Sequence, residues 1–387
     1  MPHYPDMIIT TTAELAKHCA LWANEPFITV DTEFMREKTY WPILCLIQVG
    51  DSKNAVAIDP LAEGLDLTPF YAVLHNPKVT KVFHAARQDI EIFVKLSAQV
   101  PAPIMDTQVA AMVCDFGEQV SYETLVQKLC NQALDKSMRF TDWSIRPLTE
   151  AHIRYALGDV THLRIVYTKL MQQAEKSGRL NWIVEEMENL ADIRTYQLDP
   201  YEQYHRLRAR TNKPKFMAVL RELAAWRETA AQARNVPRGR IVKDDALLEI
   251  ASQPPQHNDD FEKYRQARGM IANRDKPEMI AACAKALNAD PKTWPEIVTP
   301  RPLTQQQAAL AELLRVLLRI QADSNGVAAK LIANSDDIDL IVRGEDEKCP
   351  ALRGWRAEVF GNTALELRAG KIALAFDKKG LKLIPAA

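Results

Sequence analysis

Ile28-Thr29-Val30-Asp31-Thr32-Glu33-Phe34 is the segment from which the fold is read. Ile28 and Val30 are apolar and β-branched with Thr29 between them, so the run favours a buried strand. The strand ends in two carboxylates one residue apart. Side chains alternate faces along a strand, so Asp31 and Glu33 share one side and Thr32 points to the other. Two carboxylates about 4 Å apart repel by about 4 kcal/mol at an effective dielectric near 20. Protons, a basic partner or a divalent cation must neutralise them, and an all-oxygen site suits magnesium or manganese. The plainer alternative is a strand that runs into an acidic loop.

The 387-residue chain is long enough for two or three domains, and 47% hydrophobic residues supply an ordinary core. No run of eighteen apolar residues exists, which excludes a membrane-spanning helix. Met1-Pro2-His3-Tyr4-Pro5-Asp6 lacks the basic-then-apolar pattern of a signal peptide. The six cysteines are scattered without a C-x-x-C pair, which fits reduced thiols in the cytoplasm and gives no zinc set. The net charge of −1 hides an asymmetry. Residues 1–195 hold 18 Lys+Arg against 25 Asp+Glu, whereas 205–243 hold 11 Lys+Arg against Glu222 and Glu228 alone. An acidic module joined to a basic one predicts a metal site and a polyanion-binding surface.

Outward from the key strand, a helix is expected over Thr11–Trp22. Leu44–Gly50 and Ala55–Asp59 read as an antiparallel pair joined by turn residues. Lys81–His84 and Pro103–Thr107 are further strands. Helices are predicted at 68–75, 88–96 and from Gln108, at 121–130, and at 150–177 with Thr149 as N-cap. Strands mixed with helices imply an α/β domain over residues 1–200. Leu198-Asp199-Pro200-Tyr201 marks its end. Beyond it everything reads helical, with Asn235–Arg240 as a loop and a proline-rich linker over 291–302. Two all-α units are expected, at 204–295 and 301–387, the latter with helices at 305–320, 324–334 and 335–342 and a Leu/Ile/Lys-rich tail that is either strand or helix.

Two more acidic positions join the first pair. Asp89 opens a helix in His84-Ala85-Ala86-Arg87-Gln88-Asp89, where a charge favourable to the helix dipole is the competing role. Tyr155 and Asp159 are four apart on the long helix and share a face, with half-buried packing as the alternative for the tyrosine. Asp106, at a strand end, reads as a helix cap or structural acceptor. His84 either supports the site or is a satisfied structural histidine. Lys136, Arg139 and Trp143 either meet a phosphate backbone and stack a base, or are surface charge and packing. Phe34 either wedges under a terminal base or packs in the core.

The order D-x-E, then Asp, then Tyr-x-x-x-Asp resembles the DEDD exonuclease superfamily. The tyrosine four before the last Asp resembles its tyrosine branch; Arg154 stands where the other branch has histidine. Asp31-Thr32-Glu33-Phe34-Met35-Arg36, Thr39-Tyr40-Trp41-Pro42, Leu44-Cys45-Leu46-Ile47-Gln48, His84-Ala85 and Leu134-Asp135-Lys136-Ser137 through Thr141-Asp142-Trp143 look like bacterial ribonuclease D. The basic unit, with Asn235-Val236-Pro237, resembles an HRDC domain, and Gly354-Trp355-Arg356 is the best match to a second, diverged one.

The resemblance implies a ribonuclease H-like fold with a mixed sheet and two HRDC-like domains. It implies 3′-to-5′ hydrolysis of RNA to nucleoside monophosphates, with transfer RNA precursors as substrate. It implies two divalent cations, Mg2+ or Mn2+, held by Asp31, Glu33, Asp89 and Asp159, with Tyr155 orienting the attacking water. Such cation pairs sit about 3.5–4 Å apart across a scissile phosphate. A DNA exonuclease or an inactive nucleic-acid-binding scaffold are the alternatives, and the complete acidic set argues against the second. Residues alone leave the oligomeric state open.

Overall fold

The chain enters its sheet at β1 (Ile8–Ile9), and Thr11 then caps α1 (Thr12–Trp22) by accepting the Glu14 amide. The structure, a computed structural model, describes residues 7–134, 138, 141–296, 301–378 and 380–386. Next come β2 (Phe27–Met35), β3 (Ile43–Gly50) and β4 (Ala55–Ile58). α2 (Thr68–Leu74), β5 (Thr80–Phe83), α3 (Arg87–Ser97), β6 (Ile104–Asp106) and α4 (Thr107–Val113) follow. α5 (Tyr122–Leu125) runs on as a π-helical turn to Cys130. The long α6 (Glu150–Lys176) and α7 (Leu180–Ala191) complete the α/β part.

The six strands lie in the order β1-β4-β3-β2-β5-β6. β3 and β4 are antiparallel, as the turn between them predicted, while β1–β4, β2–β5 and β5–β6 are parallel. The sheet is therefore mixed. β2 has neighbours on both edges, and Ile28 and Val30 are fully buried. Thr29 is buried too, and its hydroxyl bonds the carbonyls of Gly50 (3.3 Å) and Val160 (2.9 Å). A Cβ on Gly50 would lie 2.5 Å from that hydroxyl, so only glycine lets β2, β3 and α6 approach this closely. α6 starts where expected: the Thr149 hydroxyl accepts the His152 amide, and the His152 ring accepts the Thr149 amide.

By its contacts the chain forms two compact units. One comprises Met1–Thr32, Leu46–Asp192 and Arg301–Ala387; the other comprises Glu33–Cys45 and Ile193–Pro300. The second is built on α8 (Pro214–Arg234), α9 (Arg238–Ile241), α10 (Asp244–Ser252) and α11 (Lys276–Asn288). Its core includes Leu220, Leu223, Leu247, Phe261 and Met279. Asn235 ends α8 in the left-handed conformation, and its side chain accepts the Trp41 amide at 2.9 Å. Residues 238–240, expected as loop, belong to the single helical turn α9.

In the first unit, α12 (Gln305–Asn325), α13 (Ala329–Ile332), α14 (Ser335–Arg343), α15 (Gly354–Arg356) and α16 (Asn362–Arg368) follow the linker. α12 runs past its expected end until Gly326, at φ +55°, stops it, so the predicted 324–334 helix shrinks to α13. The tail departs from an all-α unit. β7 (Ile372–Asp377) and β8 (Gly380–Pro385) form an antiparallel hairpin, because alternating Leu/Ile and Lys follow the strand period.

These C-terminal helices share a core with the α/β part. Trp355 stacks on Trp182 of α7 with centroids 4.7 Å apart, and its indole N–H donates to Glu186. Arg356 reaches the same carboxylate at 2.6 Å. Glu186 is only 7% exposed, and burial pushes its carboxyl pKa up while Arg356 pulls it back. Removing one partner of a buried pair leaves a charge unpaired, which costs about 3 kcal/mol or more. Arg356→Ala is therefore expected to lower unfolding free energy by about 3 kcal/mol in urea titrations, and Glu186→Gln with Arg356→Ala by less.

Candidate active site

β2 carries Asp31 at its middle and Glu33 two residues on, and α6 carries Asp159. The three half-buried residues each offer a carboxylate oxygen, all within 4.8 Å of one another. The D-x-E alternation thus puts both carboxylates on one side, as the strand period requires. Asp159 comes to them because α6 is fixed from two directions. Thr29 bonds the Val160 carbonyl, one residue on. The Tyr122 hydroxyl donates to the carbonyls of Gly158 (3.1 Å) and Asp159 (2.7 Å).

Asp89 stands beside this trio and is not part of it. It is buried in the first turn of α3 and accepts a short hydrogen bond from the Thr32 hydroxyl. Thr32, the odd residue between the two strand carboxylates, is thereby the anchor for the fourth. The turn leading into α3 is held by Asp106, whose carboxylate accepts the amides of Ala85 (3.0 Å), Ala86 (2.9 Å) and Gln108 (2.8 Å). Ala85 sits at φ +58°, a conformation that costs a non-glycine residue about 1 kcal/mol, and the two amide bonds to Asp106 hold it there. Asp106 is therefore the structural acceptor and helix cap of the sequence reading.

Burial first, and crowding second, show in the pKa values. Burial, opposed by the Thr32 amide, raises the Asp31 pKa to about 6. Burial first, then the Asp31 charge, raises Asp159 to about 8. The same two causes, in the same order, lift Asp89 well above the carboxylate range. Such a cluster holds protons or takes up positive charge. An all-oxygen donor set with two strand and two helix carboxylates fits a hard divalent cation.

Tyr155 is half-buried, one turn of α6 before Asp159. Trp143 is 4% exposed with its ring 6.1 Å from the Tyr155 ring and 5.8 Å from that of His152. Burial at that level matches the packing role for Trp143; an indole enclosed against α6 has no face left for a base. Arg146 ties this segment to the sheet, gripping Asp59 through two bonds (2.8 and 2.6 Å) and the Trp143 carbonyl at 2.7 Å. His84 Nδ1 lies 3.0 Å from the Thr107 hydroxyl, which itself donates to the Phe83 carbonyl. Burial lowers the His84 pKa, with Asp106 opposing, so the ring is neutral at pH 7. Phe34 is half-buried on β2. Lys136 and Arg139 lie outside the described residues.

Sequence reasoning missed Tyr122, Thr32 and Thr29. Tyr122 and Thr32 had one signal available, a polar residue next to a site element, and it is too common to single them out.

Residues 7–175 match the family "3′-5′ exonuclease", and residues 216–283 match "HRDC domain". A ribonuclease D from Nitrobacter hamburgensis is 47% identical over 372 residues, spanning 96% of this chain and 97% of that one. The chain belongs to the ribonuclease D family. A second ribonuclease D, from Jannaschia sp., is 47% identical over 99% of this chain and all of its own. The crystal structure of Escherichia coli RNase D, described as an exoribonuclease involved in structured RNA processing, superposes with a TM-score of 0.80. It is 28% identical and covers 93% of this chain and 97% of its own. The fold is thus a ribonuclease H-like exonuclease domain with an HRDC domain, and the chain is a 3′-5′ exoribonuclease of this family. No described helix is long and apolar enough to cross a membrane.

Carboxyls raised above their unfolded values stabilise the fold only while protonated. That stability is complete below about pH 4 and is lost as pH climbs through about 6 for Asp31 and about 8 for Asp159. Cation-free protein is therefore expected to lose melting temperature between pH 5 and 8. Added magnesium or manganese should restore it, and more at pH 8 than at pH 5, as measured by differential scanning fluorimetry.

Proposed function

We propose that this chain hydrolyses RNA from the 3′ end with two divalent cations, releases nucleoside 5′-monophosphates, and matures transfer RNA 3′ ends in the cytoplasm. The observation that carries the reading is the convergence of Asp31, Glu33 and Asp159, with Asp89 at their side and Tyr155 one turn away on α6. In this reading Asp31, Glu33, Asp89 and Asp159 hold Mg2+ or Mn2+. Bound there, such cations supply Lewis acidity to an attacking water and to the departing 3′-oxygen.

The chain's own groups do the rest. A free phenol has a pKa of about 10, so at neutral pH Tyr155 donates and accepts hydrogen bonds and is a poor base. Its role is to orient water, and the Trp143 ring beside it restrains its own orientation. Thr32 and Tyr122 fix the acidic groups before substrate arrives, so less reorganisation remains for the reaction. Phe34 and His84 are assigned to the terminal nucleotide, and Lys136 and Arg139 to backbone phosphates. The unit of residues 204–295, with its excess of basic residues, holds the RNA body through phosphates, so binding falls steeply with salt. Residues 301–387 brace the catalytic residues 1–200 through Trp355 and Arg356. The six cysteines, all free thiols, suit a reducing cytoplasm.

Incubating end-labelled RNA and DNA of one sequence with magnesium, with and without chelator, tests this. Single-nucleotide steps on RNA that chelator abolishes are expected; preferred DNA cleavage or metal-independent turnover would discard the assignment. Asp31→Asn or Asp159→Asn should remove hydrolysis by several orders of magnitude while far-ultraviolet circular dichroism is unchanged. Tyr155→Phe should slow turnover about 10²-fold with cation affinity intact in calorimetry.

A further inference from the structure

Helix α12 carries two apolar stripes, and the fold buries only one of them. Ala311, Leu314 and Leu317 are fully buried and pack with α13, α14 and α16 in the C-terminal core. The second stripe, Ala309, Leu313, Val316 and Ile320, has the 4-3-4 spacing of a coiled-coil seam on another face. Leu313 is 45% and Val316 37% exposed, Ala309 is exposed and Ile320 is half-buried. Leu381 of β8 borders this stripe and, with Glu312, Arg315, Arg319 and Asp323, lines an open groove of about 630 Å3. Phe376, paired with Leu381 across the hairpin, is 78% exposed. We propose that this face is a self-association surface, on which α12 of a second copy of the chain lies antiparallel across a two-fold axis.

The charges select that occupant and that direction. In an antiparallel pair the seam meets its own reverse, so Leu313 lies level with Val316 of the second copy, and Ala309 with Ile320. A small residue thus faces a large one at each end of the seam, which lets the layers interdigitate. Beyond these four apolar layers Gln306 meets Asp323, and the seam ends in polar pairs.

Glu312 and Arg319 flank the seam on one side. A two-fold antiparallel pair sets that side against itself, and in this register Glu312 stands about 3 Å along the axis from Arg319 of the second copy. The symmetry repeats the contact, giving two opposite-charge pairs. Both groups are available: Arg319 has no ion pair among the described residues, and the Glu312 side chain is 73% exposed, with a surface contact to Arg315 at 2.6 Å. A parallel pair would set Glu312 beside Leu317, and an antiparallel pair one heptad out of register would set Glu312 against Glu312. A partner of unrelated sequence would require no such match between a helix and its own reverse. One helix face and a hairpin edge are less than the about 800 Å2 per partner of a standard interface, so the pair is reversible and forms at micromolar concentrations.

Sedimentation velocity of the full chain from about 1 to 200 µM tests this, and the population is expected to move from monomer toward dimer across that range. Leu313→Glu puts a charge into the seam at an exposed position. It is expected to hold the chain monomeric throughout while the melting temperature stays within about 2 °C of the unaltered protein. Val316→Lys, on the same face, takes its place if Leu313→Glu does not melt cooperatively. Glu312→Arg alone is expected to weaken self-association about tenfold, and Glu312→Arg with Arg319→Glu to restore it, because the exchanged charges face one another again. A chain that stays monomeric at the highest concentration would assign the stripe to a different partner and overturn the proposal. Dimers that survive the seam variants would place the contact elsewhere on the chain, with the same consequence. A double exchange no tighter than Glu312→Arg alone would overturn the antiparallel register.

Discussion

Mutual repulsion among Asp31, Glu33 and Asp159, with Asp89 alongside, is the constraint around which the α/β part is built. Carboxylates gathered within 4.8 Å repel one another. Burial raises the pKa of both Asp31 and Asp159, and the Asp31 charge adds to the rise at Asp159. What opposes the repulsion is neutral. Thr32 bonds Asp89, Tyr122 bonds the backbone of Asp159, and Thr29 bonds the next carbonyl. No described salt bridge uses Asp31, Asp89 or Asp159. Neutral donors hold the acidic groups in place without cancelling the negative charge that a cation would need.

That arrangement separates what could be read in the sequence from what could not. Asp31 and Glu33 were legible because a strand has period two, and Tyr155 with Asp159 because a helix has period 3.6. Both rules act within one element. Asp89 was legible only through the spacing of motifs, and the structure places it beside the other three by way of Thr32, a contact across 57 positions. Tyr122 reaches Asp159 across 37 positions, and no local pattern signals it. Lengths and stops followed the same division. Thr149 was readable as a cap because capping is local, whereas the shrinkage of the 324–334 helix to α13 followed from Gly326 ending α12 late. The C-terminal helices read as a separate unit because a linker precedes them. Their attachment depends on Trp182 meeting Trp355, two residues 173 positions apart that separately look like ordinary core.

The helical unit shows a second use of buried charge. Glu228 is fully buried, yet its carboxyl pKa is held down. Burial pushes it up, but bonds from Arg238, Tyr40 and Gln232 outweigh that. Tyr40 belongs to the segment Glu33–Cys45, which continues directly from β2. Its ring lies under the Arg238 guanidinium, 4.9 Å from centroid to carbon, and the neighbouring Trp41 amide caps Asn235. The polypeptide that leaves β2 is thus tied into the helical core by Tyr40 hydrogen bonds to the Arg238–Glu228 pair, a ring contact with Arg238 and the Trp41 amide bond to Asn235. Each alone is modest; together they restrict the freedom of the residues that follow Glu33.

The two kinds of buried polar group in this chain therefore have different purposes, and satisfaction tells them apart. Glu228 and Glu186 are each met by an arginine and by a ring donor, Tyr40 or Trp355, which marks them as structural. Asp89, beside the acidic trio, is met by the neutral Thr32 hydroxyl, and no described salt bridge uses it. Gln203 and Arg227 of the helical unit each leave one buried polar atom without a partner. A fold spends stability on incomplete bonding where a ligand completes it, because the same deficit that weakens the free protein sharpens recognition of the group that fills it.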